Sequence, residues 1–413
     1  MKSFESYTCH TEPLGEVSCN TKSSLDLPLE SLSLQPFLQS LHKEQWQEVR
    51  LGNSPIQIID GDRGKNYPKH NDFLPNGYCL FLNTKNIPNS QFNFTECQFI
   101  DKNRDDMLRK GKLQLQDIVM TTRGTIGNIA LYDNRVPYNH IRINSSMVIL
   151  RPNIDKVVSQ FLLYAILSSK ENITNLVSGS AQPQLPIKDL INLTIPLPPL
   201  TIQQKIAEIL SSFDDKIDLL HRQNKTLESL ALTLFRHYFI DNPNRNEWEL
   251  GKLGDFCKVK KGKSITQKSA IQGIYPVVAG GLKPAYYHNE CNTQSPVVTI
   301  SASGNAGFVN IYYCPIWSSD SSYIDKTITP YVYFFYLFLK HHQNILYDKQ
   351  EGSVQQHIYP SHIMDLEMPH YPAKLTQNFE VEVEAYFEKI SHNTKQIQNL
   401  QAMRDMLLKA IFA

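Results

Sequence analysis

The chain repeats itself. Phe161-Leu162-Leu163-Tyr164-Ala165-Ile166-Leu167 can be laid over Phe334-Phe335-Tyr336-Leu337-Phe338-Leu339-Lys340, 173 residues later. The same shift carries Gly179-Ser180 and Gln182 onto Gly352-Ser353 and Gln355, Ile195-Pro196 onto Met368-Pro369, and Pro199 onto Pro372. It goes on to pair Ile206 with Phe379, Phe213 with Tyr386, Ile217 with Ile390, Leu227 with Leu400, Leu234 with Leu407 and Phe239 with Phe412. One residue of slip is expected between Gln182 and Pro186. Upstream the shift widens. Gly124 and Gly127 recur as Gly304 and Gly307, and Trp46 with Leu51-Gly52 recurs as Trp248 with Leu253-Gly254. One shift serving so long a stretch marks two homologous halves, the first carrying insertions in its front part.

Each half follows one order of elements, and together they predict an α+β fold. A Trp and a Leu-Gly turn open the half. Strand-like runs follow, Ile56-Gln57-Ile58-Ile59, Asp117 to Thr121 and Ser146 to Leu150 in copy one, Val297 to Ile300 in copy two. A short buried helix, a Pro-rich stop such as Ile195-Pro196-Leu197-Pro198-Pro199, and a long helix close it. The expected domains are an unassigned N-terminal extension (1–45), a β-rich domain (46–199), a first long helix (200–240), a second β-rich domain (241–372) and a second long helix (373–413).

Beyond Pro199, Ile206, Phe213, Leu220, Leu227 and Leu234 fall seven apart, with Ile202, Ile209, Ile217 and Leu230 filling the same face. That is a coiled-coil-like stripe. Copy two repeats it with Phe379, Tyr386, Leu400 and Leu407, interrupted by Asn393. Neither half supplies another long helix, so the two are expected to pack on each other, antiparallel, and to hold the β-rich heads apart.

Candidate nucleic-acid contacts gather in loops. Copy one offers Arg63, Lys65 and Lys69, then Lys85 and Asn86, then Thr122, Arg123 and Thr125, then Arg142 and Asn144, and finally Gln182. Copy two offers Lys260, Lys261 and Lys263, then Tyr287, Ser303, Asn305, Ser319 and Gln355. Lys and Arg neutralise phosphates, while Arg, Asn, Gln and Ser can present paired donors and acceptors to base edges. Any one such loop also reads as ordinary solvated surface; the set on two equivalent heads points to DNA. The net charge of +1 over 413 residues means that such a surface must be local.

Seven scattered cysteines, odd in number and never spaced CxxC, argue against a disulfide framework or a zinc site and fit a reducing compartment. With no apolar run behind the N-terminal charge and none long enough to span a bilayer, a cytoplasmic protein without membrane contact is expected. No phosphate-binding GxxxxGK[ST] loop, GxSxG elbow or HExxH pattern occurs. Asp241-Asn242-Pro243-Asn244 falls short of a methyltransferase loop, and Asp214-Asp215 reads as a solvated helix face. No cofactor or metal is expected in this chain.

The junction Ile195-Pro196-Leu197-Pro198-Pro199-Leu200 leading into Gln203-Gln204-Lys205-Ile206-Ala207-Glu208-Ile209-Leu210 resembles the hallmark of the type I restriction-modification specificity subunits. Gly179-Ser180-Ala181-Gln182 with Leu185-Pro186, Trp46 with Leu51-Gly52, and Gly124-Thr125-Ile126-Gly127 resemble that family's recognition-domain signatures, and the likeness covers about residues 46–413. It implies two target recognition domains, each reading half of a split site on double-stranded DNA, and helical spacers that dock two methyltransferase subunits. S-adenosylmethionine would sit on those partners, and ATP and Mg²⁺ on restriction subunits. Copy two departs from the hallmark with Ala373-Lys374-Leu375-Thr376. The competing readings are a self-sufficient restriction or modification enzyme and a coiled-coil scaffold unrelated to DNA.

Overall fold

The computed structural model describes residues 35–88, 91–179, 183–352 and 356–412. Most of the N-terminal extension lies outside the described residues, as do Gln182 and Gln355. The chain divides into two compact units, one holding residues 35–215 and 402–412 and the other 216–401.

In the first unit, β2 (Ile56–Asp60), β8 (Met147–Pro152), β5 (Ile118–Thr121) and β6 (Ile129–Leu131) form an antiparallel sheet in the order β2-β8-β5-β6. A second sheet runs β4-β3-β7, from Phe99–Ile100, Cys79–Leu82 and Ile141–Ile143, with β3 and β7 parallel. Every residue of β5 is buried. Ile118 and Met120 join the cluster of Leu162 and Ile166 from the helix Ser159–Ser168, whereas Val119 joins Leu80, Leu82, Ile141 and Ile143 of the second sheet. A strand covered on both faces has no solvent side, so its sequence runs continuously apolar instead of alternating. A small pair, β1 (Gln47–Arg50) with β9 (Thr194–Leu197), closes the domain.

The second unit repeats this plan. β11 (Lys260–Lys261), β17 (Ser321–Asp325), β14 (Val297–Ser301) and β15 (Val309–Tyr312) form the four-stranded sheet. β13 (Tyr286–His288), β12 (Tyr275–Val278) and β16 (Trp317–Ser318) form the three-stranded one. β10 (Leu250–Lys252) pairs with β18 (Glu367–Pro369). The repeat extends to single bonds. Leu51 N donates to Leu193 O at 2.9 Å, and Leu253 N to Leu366 O at 2.8 Å. No slip occurs where one was expected: Ser178 bridges Gln184 as Glu351 bridges His357, so Pro186 corresponds to Tyr359 and not to Pro360.

The long helices span Leu200–Phe235 and Ala373–Phe412. At 1.5 Å per residue they run about 54 and 60 Å. A π-helical turn, Arg236–Ile240, ends the first. The degenerate junction of copy two still starts a helix directly after Pro372. In the second unit the two helices pack antiparallel, with Phe235 beside Phe379 at 6.0 Å between ring centroids and Ile217 and Leu220 clustered with Ile397 and Leu400. In the first unit Leu210 shares a cluster with Leu407 and Ile411, which also takes in Leu41 just before Trp46.

The apolar seam is broader than its sequence stripe. Ile206, Leu220, Phe379 and Leu407 are buried, whereas Phe213, Leu227, Leu234, Tyr386 and Leu400 are half-buried. A second column, Leu210, Ile217, Asn224 and Ala231, is buried throughout. Leu230, expected inside, is 42% exposed, and Asn393 is fully buried where an interruption was expected. Asp214 is not a solvated residue either. It accepts from Tyr164 Oη at 2.6 Å and pairs with Arg404 at 2.7 Å. Burial first, and the Asp214 charge second, push the Tyr164 hydroxyl far above its ordinary pKa.

The short helices are capped from the long ones. Gln203 Oε1 accepts from Val158 N at 2.9 Å ahead of Ser159–Ser168. In copy two Glu380 takes this role for Val332–His341, accepting from Tyr333 N at 2.9 Å and Phe334 N at 2.7 Å. Burial pushes the Glu380 carboxyl up to about 7 against the pull of those two N–H groups. A folded-state pKa raised in this way stabilises below the ordinary carboxylate range and is lost as pH rises toward 7. Stability should therefore fall between about pH 4.5 and 7, by up to about 3 kcal/mol. Glu380→Gln should flatten that limb in urea titrations; an unchanged pH profile counts against the assignment.

Among the described residues Cys79, Cys97, Cys257 and Cys291 are free thiols. No helix among them is long and apolar enough to cross a membrane.

Candidate nucleic-acid interface

Five loops meet at one end of the first head. The turn between β5 and β6 needs left-handed backbone at Gly124 (φ 70°) and Gly127 (φ 84°), a conformation glycine adopts freely. Thr122 binds two neighbours through its main chain, its N donating to Ser146 O at 2.7 Å and its O accepting from Leu185 N at 2.9 Å. Arg123 Nη2 reaches Gln184 Oε1 at 3.2 Å, and Gly124 lies over Thr84. Arg63 Nη2 reaches Ser145 O at 3.2 Å. Gly61 passes so close to Asn144 that a Cβ would stand 2.3 Å from its carbonyl oxygen. Residues 61–64, 83–86, 121–128, 144–146 and 183–185 are thereby brought together.

The second head builds the same frame from different side chains. Gly307 N donates to Ser301 O at 2.8 Å, as Gly127 N does to Thr121 O at 2.9 Å. Ile358 N donates to Ala302 O at 3.0 Å, matching Leu185 and Thr122. Gly280 presses on Ser303, and Asn305 N donates to Gly280 O at 3.3 Å. Gly262 lies against Ser318 and Ser319, while Lys263 N donates to Ser318 O at 2.9 Å and Lys263 O accepts from Trp317 Nε1 at 2.8 Å.

Most candidate residues sit at these ends. Arg63, Lys65, Lys69, Lys85, Arg123, Thr125, Lys260, Lys261, Lys263 and Asn305 are exposed; Asn144, Tyr287 and Ser303 are half-buried. Arg142 is a correction. It is 5% exposed and spends its guanidinium on Asp105 Oδ1 at 2.5 Å, Lys110 O at 2.7 Å, Asp105 O at 2.8 Å and Leu108 O at 3.0 Å. Sitting between Ile141 and Ile143 on a buried strand, it has no face to offer DNA. Asn86 and Ser319 are also buried and hold turns, Asn86 through Asn93 O and Glu96 O, Ser319 by accepting from Ile265 N.

Sequence reasoning missed Arg109, whose side chain is 76% exposed beside Asp62 in the 61–64 loop; the basic run Arg109-Lys110-Gly111-Lys112 was its signal. It also missed His357 and Tyr359, which the 173-residue shift places opposite Gln184 and Pro186. No cluster of metal-ligating side chains occurs among the described residues.

A family model described as the type I restriction modification DNA specificity domain matches residues 43–229 and again 245–400. The MjaIX type I restriction enzyme specificity subunit of Methanocaldococcus jannaschii is 29% identical over 336 residues, covering 71% of this chain and 76% of that protein. The putative MjaX specificity subunit of the same organism is 26% identical over 284 residues, covering 66% and 62%. Among solved structures, the type I restriction-modification S subunit from M. genitalium superposes with a TM-score of 0.57 at 19% identity, covering 89% of this chain and 96% of that one, a likeness of fold. Two family domains in tandem, on a fold whose halves repeat the same sheets and turn bonds, leave one assignment: the chain belongs to the type I restriction-modification specificity subunits, the non-catalytic members of those systems that recognise the DNA sequence while other subunits carry the catalysis.

Proposed function

We propose that each head reads one half of a bipartite site on double-stranded DNA, with 46–199 and 241–372 as target recognition domains. The spacers, 200–240 and 373–413, dock two methyltransferase subunits, and restriction subunits join that complex in the cytoplasm. S-adenosylmethionine belongs to the methyltransferases, and ATP with Mg²⁺ to the restriction subunits. The observation that carries this reading is the pair of equivalent loop ends, which share the Gly127/Gly307 and Leu185/Ile358 main-chain bonds and differ in side chains. Two readers sharing a frame but not a surface suit two unlike half-sequences. In the first head Arg63, Lys65, Arg109 and Arg123 supply phosphate and base-edge donors; in the second, Lys260, Lys261, Lys263 and Asn305 do.

Methylome sequencing of a host expressing this chain with its methyltransferase partner tests the proposal. A bipartite, adenine-methylated motif with a fixed gap is expected. A genome left unmodified, or a continuous motif, overturns it.

A further inference from the structure

Where the long helices pair in the second unit, two buried amides meet. Asn224 and Asn393 are 4% and 0% exposed, and Asn393 Nδ2 donates to Asn224 Oδ1 at 2.9 Å. A second, longer contact runs from Asn393 Nδ2 to Gln223 Oε1 at 3.4 Å. Among the described residues Asn393 Oδ1 is buried without a partner. A layer that buries an unmet acceptor is a poor stabiliser. Its placement in the repeat supplies a different role.

The 173-residue shift superposes Leu220 on Asn393 and Asn224 on Ile397. In the folded chain Leu220 and Ile397 form the next layer, packed with Ile217 and Leu400. The two helices are thus interchangeable in shape but complementary in polarity. Were the first helix to pair with the first helix of another copy, each Asn224 would face a Leu220. Were the second to pair with a second, each Asn393 would face an Ile397. Either arrangement buries two amides against hydrocarbon, whereas first with second joins amide to amide and Leu to Ile.

We propose that the Asn224–Asn393 layer selects first-with-second helix pairing and rejects like-with-like pairing between two copies of this chain. A buried polar residue at a seam position discriminates by penalising mismatched partners, at some cost in stability. The repeat gives that penalty its use, because the other buried positions of the seam, Leu210, Ile217 and Ala231 in the first helix and Val383, Phe387 and Ile390 in the second, are apolar and would accept either partner.

The test uses the full chain. Asn224→Leu and Asn393→Leu singly each leave one amide unpaired and should lower the folding equilibrium constant roughly tenfold or more. The double variant should recover to the wild-type value or above. Each protein is then refolded from denaturant at low and high concentration and sized by chromatography with light scattering. Wild type should return monomeric at both. The double variant should show a dimer fraction several-fold larger at high concentration. Adding Leu220→Asn with Ile397→Asn to the double variant moves the amide layer to the equivalent position and should suppress the dimer again. A double variant as monomeric as wild type overturns the proposal, as does a wild-type chain that dimerises equally, or a transposed layer that leaves the dimer in place.

Discussion

Arg142→Ala should cost the first head about 3–5 kcal/mol, the usual penalty for removing one partner of a buried ion pair. The substitution strands Asp105, which is 0% exposed and would keep only Lys112, at 2.5 Å, as a countercharge. Three carbonyl oxygens, of Asp105, Leu108 and Lys110, lose their donor as well. Burial works against ionisation of Asp105, yet the Lys112 and Arg142 contacts outweigh it and hold the carboxyl below its ordinary pKa. Such a group stabilises above the normal carboxylate range and loses that contribution as pH falls. Arg142→Lys should rescue little, because an ammonium cannot reproduce a planar fork serving four acceptors. A denaturation midpoint that shifts with unchanged slope would report the loss. A change below about 1 kcal/mol would return Arg142 to the list of DNA contacts.

Gly280→Ala should cost the cognate complex at least about a hundredfold in affinity, a loss of discrimination comparable to one or two mismatched base pairs. Its Cβ would stand 2.3 Å from Ser303 O and 2.6 Å from Ser303 Oγ, and backbone cannot yield as a flexible side chain does. Gly280 O also accepts from Ser301 Oγ at 2.8 Å, so displacement unhooks the turn carrying Ser303 and Asn305. Gly61→Ala makes a comparable injury in the first head against Asn144. Each should blur one half of the motif and spare the other. Arg123→Ala and Lys261→Ala should behave differently, weakening binding modestly and lowering the salt-dependence slope by about one phosphate contact each. Equal damage to both halves from either glycine variant would contradict separate reading.

The repeat was plain in the amino acids because buried apolar runs and turn glycines leave period and spacing behind. What sequence could not show was pairing across distance. Arg142 looks like a loop cation until Asp105 arrives from the helix Lys102–Met107. Asn224 looks like part of the polar side of an amphipathic helix, since nothing local says its amide will meet Asn393. Asp214 was misread for the same reason, its partners Tyr164 and Arg404 being remote. Asn86 and Ser319 are residue types that serve bases and turns equally well, and only their burial separates the two.

The division of the long helices between the compact units bears on how the protein is made. Residues 402–412 complete the cluster around Phe161, Ile206 and Leu210, although the whole of the other unit separates them in the gene. A ribosome therefore releases the first head long before its last core residues exist. Until Leu407 and Ile411 emerge, the face of Phe161, Ile206 and Leu210 is left for water or a chaperone to cover, and the head translated first is the one that finishes folding last.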